Sequence, residues 1–218
     1  MWVSRALNLP VGLAIILFGS SAIGAGSESQ TVLDALPSET SLGPGWKRDI
    51  TLLFDPWGKP QEIARTNLSE SFLAASRARV EDPKGTVSGF SHTHFTFLQT
   101  NAHSTYDVQI ERYRNPQQLK NEFDHLLNLD NDEYTKAPVE GLGDAAVLCN
   151  KTRGFGATLW FRRANFKVWI APLGSITNWS QDARLQDLAR KLDQEILKGR
   201  GQTGTSSARG KSGTNREQ

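Results

Sequence analysis

LGDAAVLCNKTRGFGATLWFRRANFKVWIAPLG, residues 142 to 174, is the stretch on which the fold turns. Its last part reads on a two-residue period: Arg163-Ala164-Asn165-Phe166 can close as a two-residue turn, with asparagine tolerant of positive φ and alanine a poor choice for it. That turn sets Leu159 opposite Ile170, Trp160 opposite Trp169, Phe161 opposite Val168 and Arg162 opposite Lys167. One face then holds Ala157, Leu159, Phe161, Val168 and Ile170, a core surface. The other holds the two tryptophans with two cations beside them, so both faces of one hairpin carry large apolar groups. A cross-strand Trp pair of this kind is either a ligand platform or a surface covered by another element.

Working outward, further strands are expected near Ala145 to Asn150, Gly156 to Arg163 and Phe166 to Pro172. A helix follows, capped by Ser180, with Leu185, Leu188, Leu192 and Ile196 as one stripe and Gly199 at its end. Upstream, Phe95 and Phe97 alternate with His92, His94 and Thr96, while Tyr106, Val108 and Ile110 alternate with Thr105, Asp107, Gln109 and Glu111. A loop from Gln99 to Ser104 pairs Phe97 with Tyr106, Phe95 with Val108 and His94 with Gln109. The next helix has Asn115 as its cap and Pro116 in its first turn, with Leu119, Phe123, Leu126 and Leu127 as its stripe. Earlier still, TVLDAL (Thr31 to Leu36) reads as a short helix ended by Pro37. KRDITLLF reads as a strand, the spacing from Asn67 to Val80 as a helix, and Asp82-Pro83-Lys84-Gly85 as its closing turn. Two successive units of strands, hairpin and helix argue for an α+β domain, an antiparallel sheet with helices packed on one face.

The termini set the organisation. Arg5 precedes an apolar run from Leu9 to Gly19 and then small residues to Gly24, the pattern of a signal peptide cleaved after residue 24. The run is shorter than the roughly 20 residues of a membrane span, so a secreted or periplasmic protein without a transmembrane anchor is expected. Residues 25 to 198 then form one domain, long enough to bury about 70% of the unfolded chain's surface. The Gly, Ser and Thr-rich segment 199 to 218 lacks large apolar residues and reads as a disordered basic tail. The net charge of +2 includes Arg5 and a surplus of three in that tail, which leaves the domain near −2. Nothing in that balance draws nucleic acid. A single cysteine, Cys149, excludes an intramolecular disulfide, and export without disulfides fits a bacterial envelope. Asn67, Asn150 and Asn178 begin glycosylation triplets, which matter only in a glycosylating host.

Candidate chemistry is sparse, and no reaction can be read from the residues. Trp160 and Trp169 suit sugar rings or aromatic groups, and Arg162 with Lys167 suits an anionic substituent. His92-Thr93-His94 places two imidazoles on one strand face, where with Glu111 across the hairpin they could chelate a divalent metal. Solvated polar residues on the wet side of a sheet make the same pattern. Cys149 beside Val147 and Leu148 reads as a small buried apolar residue. There is no G-x-S-x-G, phosphate loop or dinucleotide fingerprint, so no cofactor is expected. Gly141-Leu142-Gly143-Asp144 reads as turn chemistry.

The run Val139 to Ala146 with its GLGD turn, leading to a hairpin with a basic-Ala-Asn corner, resembles exported bacterial α+β proteins of unassigned function. In those proteins a C-terminal helix closes the domain, and they usually carry Gly-Asn where Ala164-Asn165 stands here. The resemblance covers about the last third of the chain and implies export and a sheet domain, not a site. The reading is therefore a non-catalytic exported domain that binds an envelope protein, a glycan or a second copy of itself through Trp160, Trp169, Arg162 and Lys167. The alternatives are a metal-assisted hydrolase on His92, His94 and Glu111, and an envelope structural protein without a small ligand.

Overall fold

A computed structural model describes residues 31–55, 62–65, 67–81, 86–98, 103–129, 134–151, 157–173 and 183–203, with side chains as far as 199. Among the described residues seven strands form one sheet: β1 (Trp46–Phe54), β2 (Val87–Leu98), β3 (His103–Tyr113), β4 (Tyr134–Pro138), β5 (Ala145–Lys151), β6 (Ala157–Arg163) and β7 (Phe166–Leu173). Their order is β1-β2-β3-β7-β6-β5-β4, and every neighbouring pair is antiparallel. Two meanders, three strands and then four, meet edge to edge at β3 and β7. The helices are α1 (Glu39–Leu42), α2 (Glu70–Glu81), α3 (Pro116–Asn128) and α4 (Ala183–Thr203). The α+β class and the antiparallel sheet are as the alternation predicts.

One expectation about the layers is corrected, because the helices occupy both faces. On the first face Leu185, Leu188, Leu192 and Ile196 of α4 are fully buried against Leu159, Phe161, Val168 and Ile170. The segment Val32 to Leu42 completes this layer over Leu53, Phe95 and Tyr106. On the second face Phe72 and Leu73 of α2 and Leu119 of α3 pack with Leu52, Phe90 and Tyr113. Phe123 and Leu126 of α3 pack with Val147, Cys149 and Trp160. The reason lies in the opening hairpin: each of its faces bears apolar bulk, and burying both requires a layer on either side.

Boundaries shift in ways local sequence does not fix. Thr31 to Leu36 is a run of turns rather than a helix, and the helical turn comes after Pro37, where the Ser38 hydroxyl accepts from the Ser41 amide at 3.1 Å. Strand β4 was not foreseen; it carries a proline and a lysine and lies at the sheet edge, where an unpaired strand side tolerates both. Helix α4 continues through Gly199 to Thr203, past the expected domain end at 198, since a helical glycine costs only about 1 kcal/mol. The expected cap Ser180, the turn at 82 to 85, the expected signal peptide and the residues beyond Thr203 lie outside the described residues. Asn115 does cap α3: its Oδ1 accepts from the amides of Gln117 at 2.9 Å and Gln118 at 3.4 Å, with Pro116 in the first turn.

Candidate functional site

The hairpin β6-β7 has the register read from its turn: Leu159 faces Ile170, Trp160 faces Trp169, Phe161 faces Val168 and Arg162 faces Lys167. Ala164 sits at its corner with φ of 57°, the left-handed region. The corner is held from two sides. Asp144 of the GLGD turn accepts from the Ala164 amide at 2.7 Å and from Arg163 Nη1 at 3.0 Å. Asn165 exchanges backbone and side-chain bonds with Tyr113 at the end of β3. Gly141 and Gly143 have φ of 71° and 64°, and a Cβ on Gly143 would stand 2.4 Å from the Arg162 carbonyl oxygen. Thus Asp144 is a brace between two turns. Asp193 of α4, not singled out by its sequence, completes it with a two-toothed bond to Arg163 at 2.6 and 2.7 Å.

The second face sorts into cross-strand rows. One runs Phe90, Glu111, Lys167, Arg162; the next His92, Gln109, Trp169, Trp160, Val147; beyond them lie His94, Asp107 and Ala171 in one row and Thr158 opposite Cys149. The first row is covered and its charges are internally matched. Lys167 Nζ lies 2.6 Å from Glu111 and 2.8 Å from Glu122 of α3, and donates to the Tyr113 hydroxyl at 2.9 Å. Arg79 of α2 donates to Glu111 at 3.0 Å, and Tyr113 donates to Glu122 at 2.7 Å. Burial, reinforced by the neighbouring carboxylate of Glu111, raises the Tyr113 pKa and keeps it a phenol. For Glu122 burial works upward but is outweighed by hydrogen bonds from Lys167 and Tyr113, so its carboxyl is held below its ordinary value. Arg162 lies 3.6 Å from Asp144. Of the two basic residues expected to meet a ligand, Lys167 is held by two carboxylates of the domain itself and Arg162 has the Asp144 carboxylate as a neighbour.

The two indoles stand side by side, their ring centroids 6.1 Å apart and inclined 58°. Trp160 packs against the buried cluster of Phe123, Val147 and Cys149, to which α3 contributes Phe123, so α3 supplies part of the cover that the two-faced hairpin demands. Both rings remain partly exposed, as do Gln109, Asp107, Ala171 and Thr158 beside them, whereas Leu159 and Ile170 on the reverse are buried. The second face is thus closed at the Tyr113 end and open at the other. Trp160 Nε1 donates to Thr158 Oγ1 at 3.3 Å, which fixes one rim of the open part.

The histidine hairpin is shifted from its expected register by two residues. Pairing continues to Leu98 and His103, so the connection is only 99 to 102; Phe95 faces Tyr106, His92 faces Gln109 and His94 faces Asp107. A slip of two keeps every side chain on its face but changes each partner. The carboxylate beside the imidazoles is consequently Asp107, and Glu111 belongs to the Lys167 network instead. One ligating atom each from His92, His94 and Asp107 lie within 4.8 Å of one another. His92 Nε2 touches Asp107 Oδ1 within ion-pair range, and His94 Nε2 lies 3.9 Å from the same oxygen. Phe72 of α2 packs against the His92 ring at 5.2 Å, and the two imidazoles meet edge to face at 5.2 Å. Burial lowers the His94 pKa against the opposing pull of Asp107, and Arg65, itself paired with Asp49, adds to the lowering.

Cys149 is buried, and burial raises its thiol pKa, as befits a packing residue rather than a nucleophile. On the first face a cavity of about 400 Å³ lies between β4, the GLGD turn and α4, lined by Pro138, Val139, Leu142, Leu148, Leu159 and Ala189 with Arg190 at its rim. None of the residues expected to form a site faces it. No helix among the described residues is long and apolar enough to cross a membrane. No family model matches the chain, and no curated protein or solved structure matches it.

Proposed function

We propose that the chain is an exported, non-catalytic binding domain whose ligand lies across the open end of the second sheet face, against Trp169 and the accessible part of Trp160. The observation that carries this reading is the inclined indole pair, partly exposed in a face that α2 and α3 close only at the Tyr113 end. Two tilted indoles offer a flat, amphipathic wall that fits the apolar side of a sugar ring. Gln109 and Thr158 at its margins supply the hydrogen-bonding groups that such a ring needs. Because Arg162 and Lys167 serve internal carboxylates, the preferred ligand is a neutral oligosaccharide rather than an anionic one. Export rests on the apolar run from Leu9 to Gly19 and the small residues to Gly24, and it makes an envelope glycan the natural ligand class.

The test is titration of the isotope-labelled protein with chitotriose, read by NMR at the indole Nε1 protons. The Trp160 and Trp169 signals are expected to shift together, and W169A to weaken binding at least about tenfold while keeping the far-ultraviolet circular dichroism of the parent. Indole signals that stay in place at millimolar oligosaccharide would dismiss the reading.

A further inference from the structure

We propose that His92, His94 and Asp107 form a site for one divalent first-row transition ion on the second sheet face, independent of the oligosaccharide reading. The argument begins with hydrogen bonding. His92 is 6% exposed, yet neither of its ring nitrogens has a hydrogen-bond partner, and Asp107 Oδ1 is likewise buried without one. The contact of His92 Nε2 with that oxygen is close but lacks hydrogen-bond geometry. Buried polar groups are almost always satisfied, and a buried imidazole whose Nδ1 has no partner and whose Nε2 has only that off-geometry contact calls for a partner of another kind. The ligating atoms converge: the same carboxylate oxygen faces the Nε2 of both imidazoles, and one ligating atom from each residue falls within a 4.8 Å span. Four-coordinate zinc at its usual bond lengths sets neighbouring donors about 3.3 Å apart; His94 Nε2 and Asp107 Oδ1 at 3.9 Å need to close slightly, and the direct His92–Asp107 contact opens to admit the ion.

The donor set and its support agree with such an ion. Two imidazoles and one carboxylate suit zinc and its first-row neighbours, whereas calcium and magnesium prefer all-oxygen sets. All three ligands stand on interior strands, β2 between β1 and β3, and β3 between β2 and β7, which fixes their backbones more firmly than a loop does. Phe72 walls the His92 ring from the α2 side. His94 is the accessible member, its side chain 24% exposed, so an ion enters from that end and keeps its remaining coordination positions toward solvent. Asp49 and Arg65 are the charged pair beside this entrance, and each neutralises the other.

The full chain, stripped with a chelator, is titrated with zinc by calorimetry and with cobalt by absorption spectroscopy. Binding of one zinc is expected, with H94A and D107N each weaker by at least about tenfold and both variants retaining the far-ultraviolet circular dichroism of the parent. Cobalt should give a d–d spectrum without a thiolate charge-transfer band, which separates this site from Cys149, and H94A should abolish it. H125A, on α3, should bind as the parent does. Because His92 is buried, H92A reports on folding as much as on ligation, and H94A carries the decision. Absence of stoichiometric zinc, or equal affinity in H94A and the parent, overturns the proposal.

Discussion

Ala164 and Gly143 illustrate how much a single backbone position decides. Ala164 holds a left-handed φ of 57° because Asp144 clamps its amide and the hairpin pairs continue on either side of it. An alanine there is strained where a glycine is not. A164G is therefore expected to raise stability by up to about 1 kcal/mol, seen as a higher urea midpoint with an unchanged slope. Gly143 is the opposite case: φ of 64° and a carbonyl 2.4 Å from any Cβ leave no room for a side chain. G143A should cost more than about 2 kcal/mol in the same measurement, since the brace from Asp144 and Asp193 to Arg163 cannot form around a displaced turn. The glycines and the aspartate were legible as turn chemistry. Their partners were not, because Arg163 and Asp193 are 30 residues apart and meet only when α4 docks.

At the scale of elements, α3 answers the question that the Trp hairpin raised. Its Phe123 forms one buried cluster with Val147 and Cys149, against which Leu126 and Trp160 pack, so a layer of the same chain buries part of the second apolar face without a second copy. F123A removes the fully buried ring at the centre of this contact and is expected to cost about 3–5 kcal/mol, with Trp160 fluorescence moving to longer wavelength as water reaches it. If the melting temperature of F123A were unchanged, α3 would not be the cover. The helix itself was readable from its cap and its stripe at Leu119 and Phe123, because a stripe of 3.6-residue period declares that one side is buried. Which sheet face receives it is a different matter. The period is the same above and below the sheet, so the expected one-sided layer gave way to two. The His hairpin shows the same limit: alternation preserves the face but not the partner. Moving the pairing by two residues exchanges Gln109 for Asp107 opposite His94, and with it the composition of the candidate metal site.

Across the whole molecule, the polar network between α2, β3, β7 and α3 couples stability to pH at both ends. Glu122 is held below its ordinary pKa, so the unfolded chain takes up its proton first. The stability it contributes is present above the unfolded value of about 4.3 and is lost as pH falls through the lower folded value. Tyr113 is raised, so its contribution is complete below the unfolded value of about 10 and declines as pH climbs beyond it. Urea unfolding across the pH range should thus show an acid limb flattened in E122Q and an alkaline limb flattened in Y113F. Limbs of unchanged slope in both variants would remove the network from the stability profile.

Reading along the chain was enough for the class of fold, the two apolar faces of the Trp hairpin, the capped start of α3 and the burial of Cys149, because each depends on neighbours within a few positions or on a two-residue turn that sets its own register. The layer on each side of the sheet, edge strand β4, the pairing of His94 with Asp107 and the capture of Arg162 and Lys167 by carboxylates required the folded chain. Those features join residues tens of positions apart, and periodicity records only that a side chain seeks cover or a counter-charge, not which distant segment provides it.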